Sequence, residues 1–239
     1  AISTMAATGA TGAAATTHLK HLRVASLLPS TTDIVAALGL SAHLVGVTHE
    51  CQIPATGCAP GYPLILTKSM LNYEGSGQGD IDAKVKKAAT DAAASIACPL
   101  PSASGSADVA DSVQSLYPID REALKLANPT VVLTQNLCGV CAPSTEEVRK
   151  ALVDGGSSDV DGVKVLSLEP ETLEDVAETF VTVADACGVH DRGVKMRDAF
   201  LANLNLLTNT ASKSTDKKRP RVLLLEWLDP PYDAGHWIP

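Results

Sequence analysis

The chain has 239 residues, of which 45% are hydrophobic and 19% charged, an ordinary balance for a globular protein with room for one large domain or two small lobes. A net charge of -8 argues against nucleic acid as the main partner, and no apolar run approaches the roughly 20 residues that a membrane-spanning helix needs. Aromatic residues make up only 3%, so the core has to be built from Ala, Val, Leu and Ile.

Ala1–Thr17 is rich in Ala, Thr and Gly and contains no acid. It lacks a charged start and a leucine-rich segment, so it does not read as an intact secretory signal. It is either the remnant of an organellar targeting segment or a disordered tail, and the expected compartment is an organelle or the cytoplasm rather than the periplasm.

Arg23–Leu28 is a short apolar run with little alternation, as expected of a strand buried on both faces. Pro29-Ser30-Thr31-Thr32 ends it, and Ser30 or Thr31 is suited to cap a helix carrying Ile34, Val35 and Leu38, with Gly39 at its C-terminal turn. Leu44–Thr48 is a second strand, followed by His49-Glu50-Cys51. A right-handed crossover between parallel strands puts both carboxyl ends on one edge of the sheet, the edge where open α/β sheets bind ligands.

Pro63–Thr67 reads as a third strand, Asn72–Gly79 as a Gly-rich connection, Ile81–Ala94 as helix and Ser95–Asp108 as a surface insertion. Asp120 is a plausible N-cap for Arg121–Ala127, and Thr130–Thr134 is a strong strand leading into Cys138-x-x-Cys141. Ser144 with Glu147 forms a capping box, and Val163–Leu168 is a further strand. Thr172–Thr208 is the longest helical stretch, started by Thr172 and Asp175 and weakened by Gly188 and Gly193, where a break or two consecutive helices are expected. After a polar linker, Arg221–Leu225 reads as a buried-type strand that leads to Glu226, Trp227, Tyr232, His236 and Trp237. A lone strand cannot form a sheet, so VLLLEWL must join the first lobe, be covered by a partner chain, or continue into further sequence.

The fold class is therefore α/β: a parallel Rossmann-like lobe, a long helix, and the first strand of a second lobe. The segments are a tail at 1–22, a lobe at 23–170 with an insertion at about 72–108, a helix region at 171–209, a linker at 210–220 and a second-lobe start at 221–239.

Three strand ends carry reactive groups. If His49, Cys51, Cys138 and Cys141 face one cleft, imidazole and thiolates suit a transition metal. Cys138 and Cys141 equally fit a turn packed under the lobe, and His49 alone is more often a satisfied histidine than a ligand, a balance that its place at a strand's carboxyl end makes even. Cys187, in predicted helix, reads as a small buried hydrophobe. Trp227, Tyr232 and Trp237 are three of the six Trp and Tyr residues, a clustering that favours a wall facing a flat conjugated ligand. No dinucleotide fingerprint, phosphate loop or serine elbow is present, and no pair of acids is placed for acid–base catalysis, so no enzyme activity is expected.

RVASLLPSTTDIVAALGL, LVGVTHECQIP, VVLTQNLCGVCAPS and VLLLEWLDPPYDAGHW together resemble the cobalamin-binding branch of the class III substrate-binding proteins of ABC importers, whose relatives bind iron–siderophores, haem or metal ions. The resemblance implies two α/β lobes bridged by one long helix around Thr172–Thr208, with the ligand in the cleft between them. It implies ligand contacts at Ser30, Thr31, His49, Glu50, Cys51, Cys138, Cys141, Glu226, Trp227 and His236, and a corrinoid or similar tetrapyrrole as ligand. Measured against the family, most of the second lobe is absent, Asn72–Asp108 is long, and Gln52 stands where Asp is common. The alternative is an accessory subunit that reuses the fold without a ligand, with a protein partner over 221–239 and a place peripheral to a membrane complex.

Overall fold

A computed structural model describes residues 19–69, 77, 79–81, 83–84, 86–87, 117–136, 142–156, 160–212 and 221–233. Five parallel strands form the central sheet: β1 (Val24–Ser26), β2 (Leu44–Val47), β3 (Leu64–Ile65), β4 (Val131–Thr134) and β5 (Lys164–Ser167), in the order β3-β2-β1-β4-β5. Strand order reverses between β1 and β4, the point at whose carboxyl ends open α/β sheets place their binding crevice. The α/β class expected from the apolar runs is the one observed.

Side chains alternate between the two faces of the strands. Val24, Leu44, Val131 and Leu133 pack on one side against α1 (Pro29–Ala37) and, further along the chain, α4 (Leu173–Ala186). Ala25, Val45 and Val132 pack on the other side against α2 (Arg121–Ala127) and α3 (Thr145–Asp154). Helices thus cover both faces, which explains why the strands carry no polar alternation.

Helix α1 begins two to three residues earlier than expected. Leu28 is the N-cap, with no side-chain cap bond, and Pro29 occupies the first helical position. Proline's fixed φ and missing N–H suit that position, so Ser30 and Thr31 fall inside the first turn instead of capping it. Gly39, at φ 72°, closes α1: Leu40 N–H donates to Val35 O and Gly39 N–H to Ala36 O. Other expected starts are present: Asp120 accepts from Ala123 N–H, and full capping boxes join Ser144 to Glu147 and Thr172 to Asp175. The amide donors of this cap, together with Lys68, hold the Asp120 carboxyl below its ordinary range.

The break in the long helical stretch falls at Gly188, φ 72°, between α4 and α5 (His190–Ser212). Gly193 is not a break. It lies within α5, where an added Cβ would stand 2.5 Å from Ala184 Cβ and 2.7 Å from Phe180 O. The helix pair is also joined by an edge-to-face contact of Phe180 and Phe200, with centroids 5.4 Å apart. From α5, Arg192 donates to Leu38 O at 2.8 Å, neutralising the carbonyl end of α1.

Cys187 is fully buried, as expected, and burial pushes its thiol up to about 11 from an ordinary 9.0. The folded state then resists losing that proton, so the contribution is intact below pH 9 and disappears as pH rises towards 11. We expect a fall of about 2–3 kcal/mol over that window by proton linkage. The stability slope of wild type and Cys187→Ala in urea melts from pH 8.5 to 11 measures it; equal slopes would refute the assignment.

The last strand differs from expectation. Strand β6 is Leu225–Leu228, and it pairs antiparallel with β7 (Pro231–Asp233) across Asp229 and Pro230 rather than adding to the parallel sheet. A short local hairpin forms more readily than a distant parallel pairing. Val222, Leu223 and Leu224, expected to be buried, are exposed. Among the described residues no helix is long and apolar enough to cross a membrane.

Candidate functional site

Three strand ends and the first turn of α1 meet at the carboxyl edge. Below the first turn lies a buried hydroxyl network. Ser26 and Thr31 hydroxyls are 2.6 Å apart, Thr32 donates to Ser26 at 2.8 Å, and Leu28 O accepts from Ser26 and Thr31. Thr31 is thus 2% exposed and consumed by the protein, so it supports the edge from beneath rather than facing a ligand. Ser30 is exposed on the same turn.

The end of β2 turns sharply: Cys51 N–H donates to Thr48 O, and Glu50 N–H to the Thr48 hydroxyl. This turn points the Cys51 sulfur inward, where it lies 3.1 Å from both the Thr32 and the Thr48 hydroxyls. Cys51 packs against the core on the α1 side. It is therefore a joint between α1 and β2, and among the described residues no group of three or more His, Cys, Asp or Glu is placed to hold a metal ion. Cys138 and Cys141 lie outside the described residues. On either side of them, Thr134 donates to Pro143 O, and Asn136 Oδ1 accepts from Thr145 N–H at 2.9 Å.

His49 is held more specifically. Its backbone N–H donates to the Thr67 hydroxyl oxygen at 3.3 Å, and its Nδ1 lies 2.9 Å from the same oxygen. Thr67 is fully buried at the end of the third strand and bridges to Ile119. The ring also lies 5.3 Å from Tyr117. Glu50, on a side chain 63% exposed, brings Oε1 to 3.4 Å from His49 Nε2. No hydrogen bond results, and Nε2 is a shielded polar atom without a hydrogen-bond partner among the described residues.

Two of these groups had no sequence signal of their own. Thr67 was reachable from the rule that carboxyl ends of parallel strands share an edge. Tyr117 follows the long insertion and stands out by no local pattern. Glu226, Trp227 and Tyr232 lie on the β6–β7 hairpin, with Trp227 paired to Tyr232 in register; His236 and Trp237 lie outside the described residues. A cavity of about 630 Å³, lined by His21, Arg23, His43 and Tyr62, opens at the amino ends of the strands. It is on the opposite edge from the residues above, and it contains none of them.

Solved structures described as periplasmic binding proteins share this fold. Among solved structures, the periplasmic haem-binding protein RhuT from Roseiflexus sp. RS-1 matches over 90% of this chain and 60% of its own, at 19% identity and a TM-score of 0.52. The periplasmic haem-binding protein HutB of Vibrio cholerae matches over 86% of this chain and 55% of its own, at 13% identity and 0.51. A possible iron-binding (periplasmic solute-binding) protein from Staphylococcus epidermidis matches over 89% and 60%, at 17% identity and 0.51. The chain thus spans between half and two thirds of the structures it matches. At these identities the likeness defines the fold. The sequence matches no protein-family model and no curated protein.

The matched structures are described as binding proteins rather than enzymes. They are also described as periplasmic, which overturns the expectation of an organelle or the cytoplasm. That expectation rested on Ala1–Thr17 alone, a segment outside the described residues.

Proposed function

We propose that the chain is the ligand-recognising part of a non-enzymatic solute-binding protein serving an ABC-type importer on the periplasmic side, and that its ligand is a corrinoid such as cobalamin or another metal-containing tetrapyrrole. One observation carries the reading: the carboxyl edge of a parallel sheet carries His49, Glu50 and the exposed Ser30 of α1, in a fold shared with two haem-binding proteins. Residues 23–170 serve as the first lobe, 171–209 as the helix region leading out of it, and 221–239 as the start of a second.

In this reading Ser30, His49 and Glu50 meet the ligand from the first lobe. Cys138 and Cys141 approach from the segment after β4. Glu226, Trp227, Tyr232, His236 and Trp237 approach from the hairpin side, with the indoles flanking a ring. The likeness to ligand-binding proteins gives an accessory, ligand-free subunit no support.

Calorimetric titration with cyanocobalamin and with haem, each followed by its visible spectrum, tests this. Near-stoichiometric binding of either tetrapyrrole is expected. Absence of heat and of spectral change, in a chain shown by circular dichroism to be folded, would overturn the reading.

A further inference from the structure

His49 and Glu50 differ from the rest of the edge, because Nε2 of one and Oε1 of the other lie 3.4 Å apart without a hydrogen bond between them. The Thr67 hydroxyl sets the tautomer of the His49 ring. Its oxygen already accepts from His49 N–H. Its own hydrogen needs an acceptor, because Thr67 is 0% exposed and cannot use water. Among the described residues, the acceptor within reach is His49 Nδ1, at 2.9 Å. If Nδ1 instead carried the proton, Thr67 would accept twice and leave its own hydrogen buried without a partner, which proteins avoid. The neutral ring therefore holds its proton on Nε2.

A protonated Nε2 has no lone pair for a metal. It is a hydrogen-bond donor, and among the described residues it makes no hydrogen bond. Beside it, 3.4 Å away, stands the Glu50 carboxylate, which only accepts. A ligand carboxylate would satisfy Nε2–H but would meet the charge of Glu50 at close range. A primary carboxamide offers an acceptor oxygen and a donor nitrogen side by side. Its oxygen answers Nε2–H and its nitrogen answers Glu50, once the exposed Glu50 side chain turns off the shielded Nε2.

We propose that His49 and Glu50 form a donor–acceptor clamp for a primary carboxamide on the ligand, so that this edge selects an amide-decorated tetrapyrrole over a carboxylate-decorated one. The inference rests on the tetrapyrrole-binding reading above and narrows it. His49 in this arrangement reads the periphery of the ligand and does not ligate its metal.

The test compares cyanocobalamin with its acid-hydrolysis product, in which side-chain carboxamides have become carboxylates. The full chain is titrated as wild type, Glu50→Gln and His49→Phe. Wild type is expected to bind the amide form about tenfold or more tighter, the span of one charge-assisted hydrogen bond. Glu50→Gln is expected to erase most of that preference, and His49→Phe to weaken the amide form by about tenfold with the ring's packing retained. Equal wild-type affinities, unchanged in Glu50→Gln, would overturn the clamp and leave the binding function standing. Binding of neither form would overturn both. A separate readout needs no ligand: nitrogen chemical shifts of the His49 ring should show Nε2 protonated and Nδ1 bare, and the reverse pattern would also overturn the clamp.

Discussion

Gly193→Ala is expected to destabilise the protein, although helix propensity predicts the opposite. In an open helix interior, replacing Gly by Ala gains about 1 kcal/mol. Gly193 is not in an open position. Its added Cβ would stand 2.5 Å from Ala184 Cβ, 2.7 Å from Phe180 O and 3.0 Å from Val181 Cα. Two of those atoms belong to the backbone of α4, so neither can turn aside, and the two helices must separate. Separation also disturbs the Phe180–Phe200 contact and the reach of Arg192 to Leu38 O. Overpacking of this kind costs about 1–3 kcal/mol and exceeds the gain in propensity. Urea denaturation should show a lower midpoint for Gly193→Ala with an unchanged slope. A higher midpoint would mean that α4 and α5 do not approach as closely as described.

The same glycine shows how far the sequence could be read. Local signals were legible where one short segment decides the outcome. The runs at Val24–Ser26 and Val131–Thr134 lack alternation because both faces are covered. Capping boxes at Ser144 and Thr172 follow from a hydroxyl and an acid three residues apart. Gly39 and Gly188 mark helix ends because each takes a positive φ. Gly193 has the same composition signal and a different cause, since its missing side chain makes room for a helix that the sequence alone does not bring near it.

The site divides in the same way. His49 and Glu50 were legible because they follow a strand that must end on the ligand edge. The inward turn of the Cys51 sulfur was not legible, because it depends on Thr32, nineteen positions earlier along the chain and brought close by the crossover. Thr31 looks identical to Ser30 in sequence, yet the first turn of α1 buries one and exposes the other. The hairpin at Leu225–Asp233 stands where the sequence suggests a strand at Arg221–Leu225, because Asp229 and Pro230 lie amid residues that also suit a binding loop.

Packing beneath the edge governs the His49 clamp, and Gly46 is where the two meet. Gly46 lies in β2, three residues before His49, and an added Cβ would stand 2.3 Å from Leu66 Cδ1. A flexible side chain normally yields to such a contact. Leu66 cannot yield easily, because it is fully buried in the cluster that includes Ala25, Val45 and Val132. It also immediately precedes Thr67, whose hydroxyl fixes the His49 ring. Gly46→Val therefore gains up to about 1 kcal/mol in strand propensity and is expected to lose about 3 kcal/mol or more to overpacking. Leu66→Ala alone leaves a cavity and is expected to cost about 2–5 kcal/mol. Combined, the two changes exchange volume across one contact. The double variant should be more stable than the sum of the singles predicts by about 1–3 kcal/mol. Strict additivity in urea melts would show that Gly46 and Leu66 do not touch. The His49 ring reports the functional side of the same contact. In Gly46→Val its nitrogen shifts should lose the pattern set by Thr67, and adding Leu66→Ala should recover it, because the strand end can settle back onto β2 only when the space above Gly46 is free.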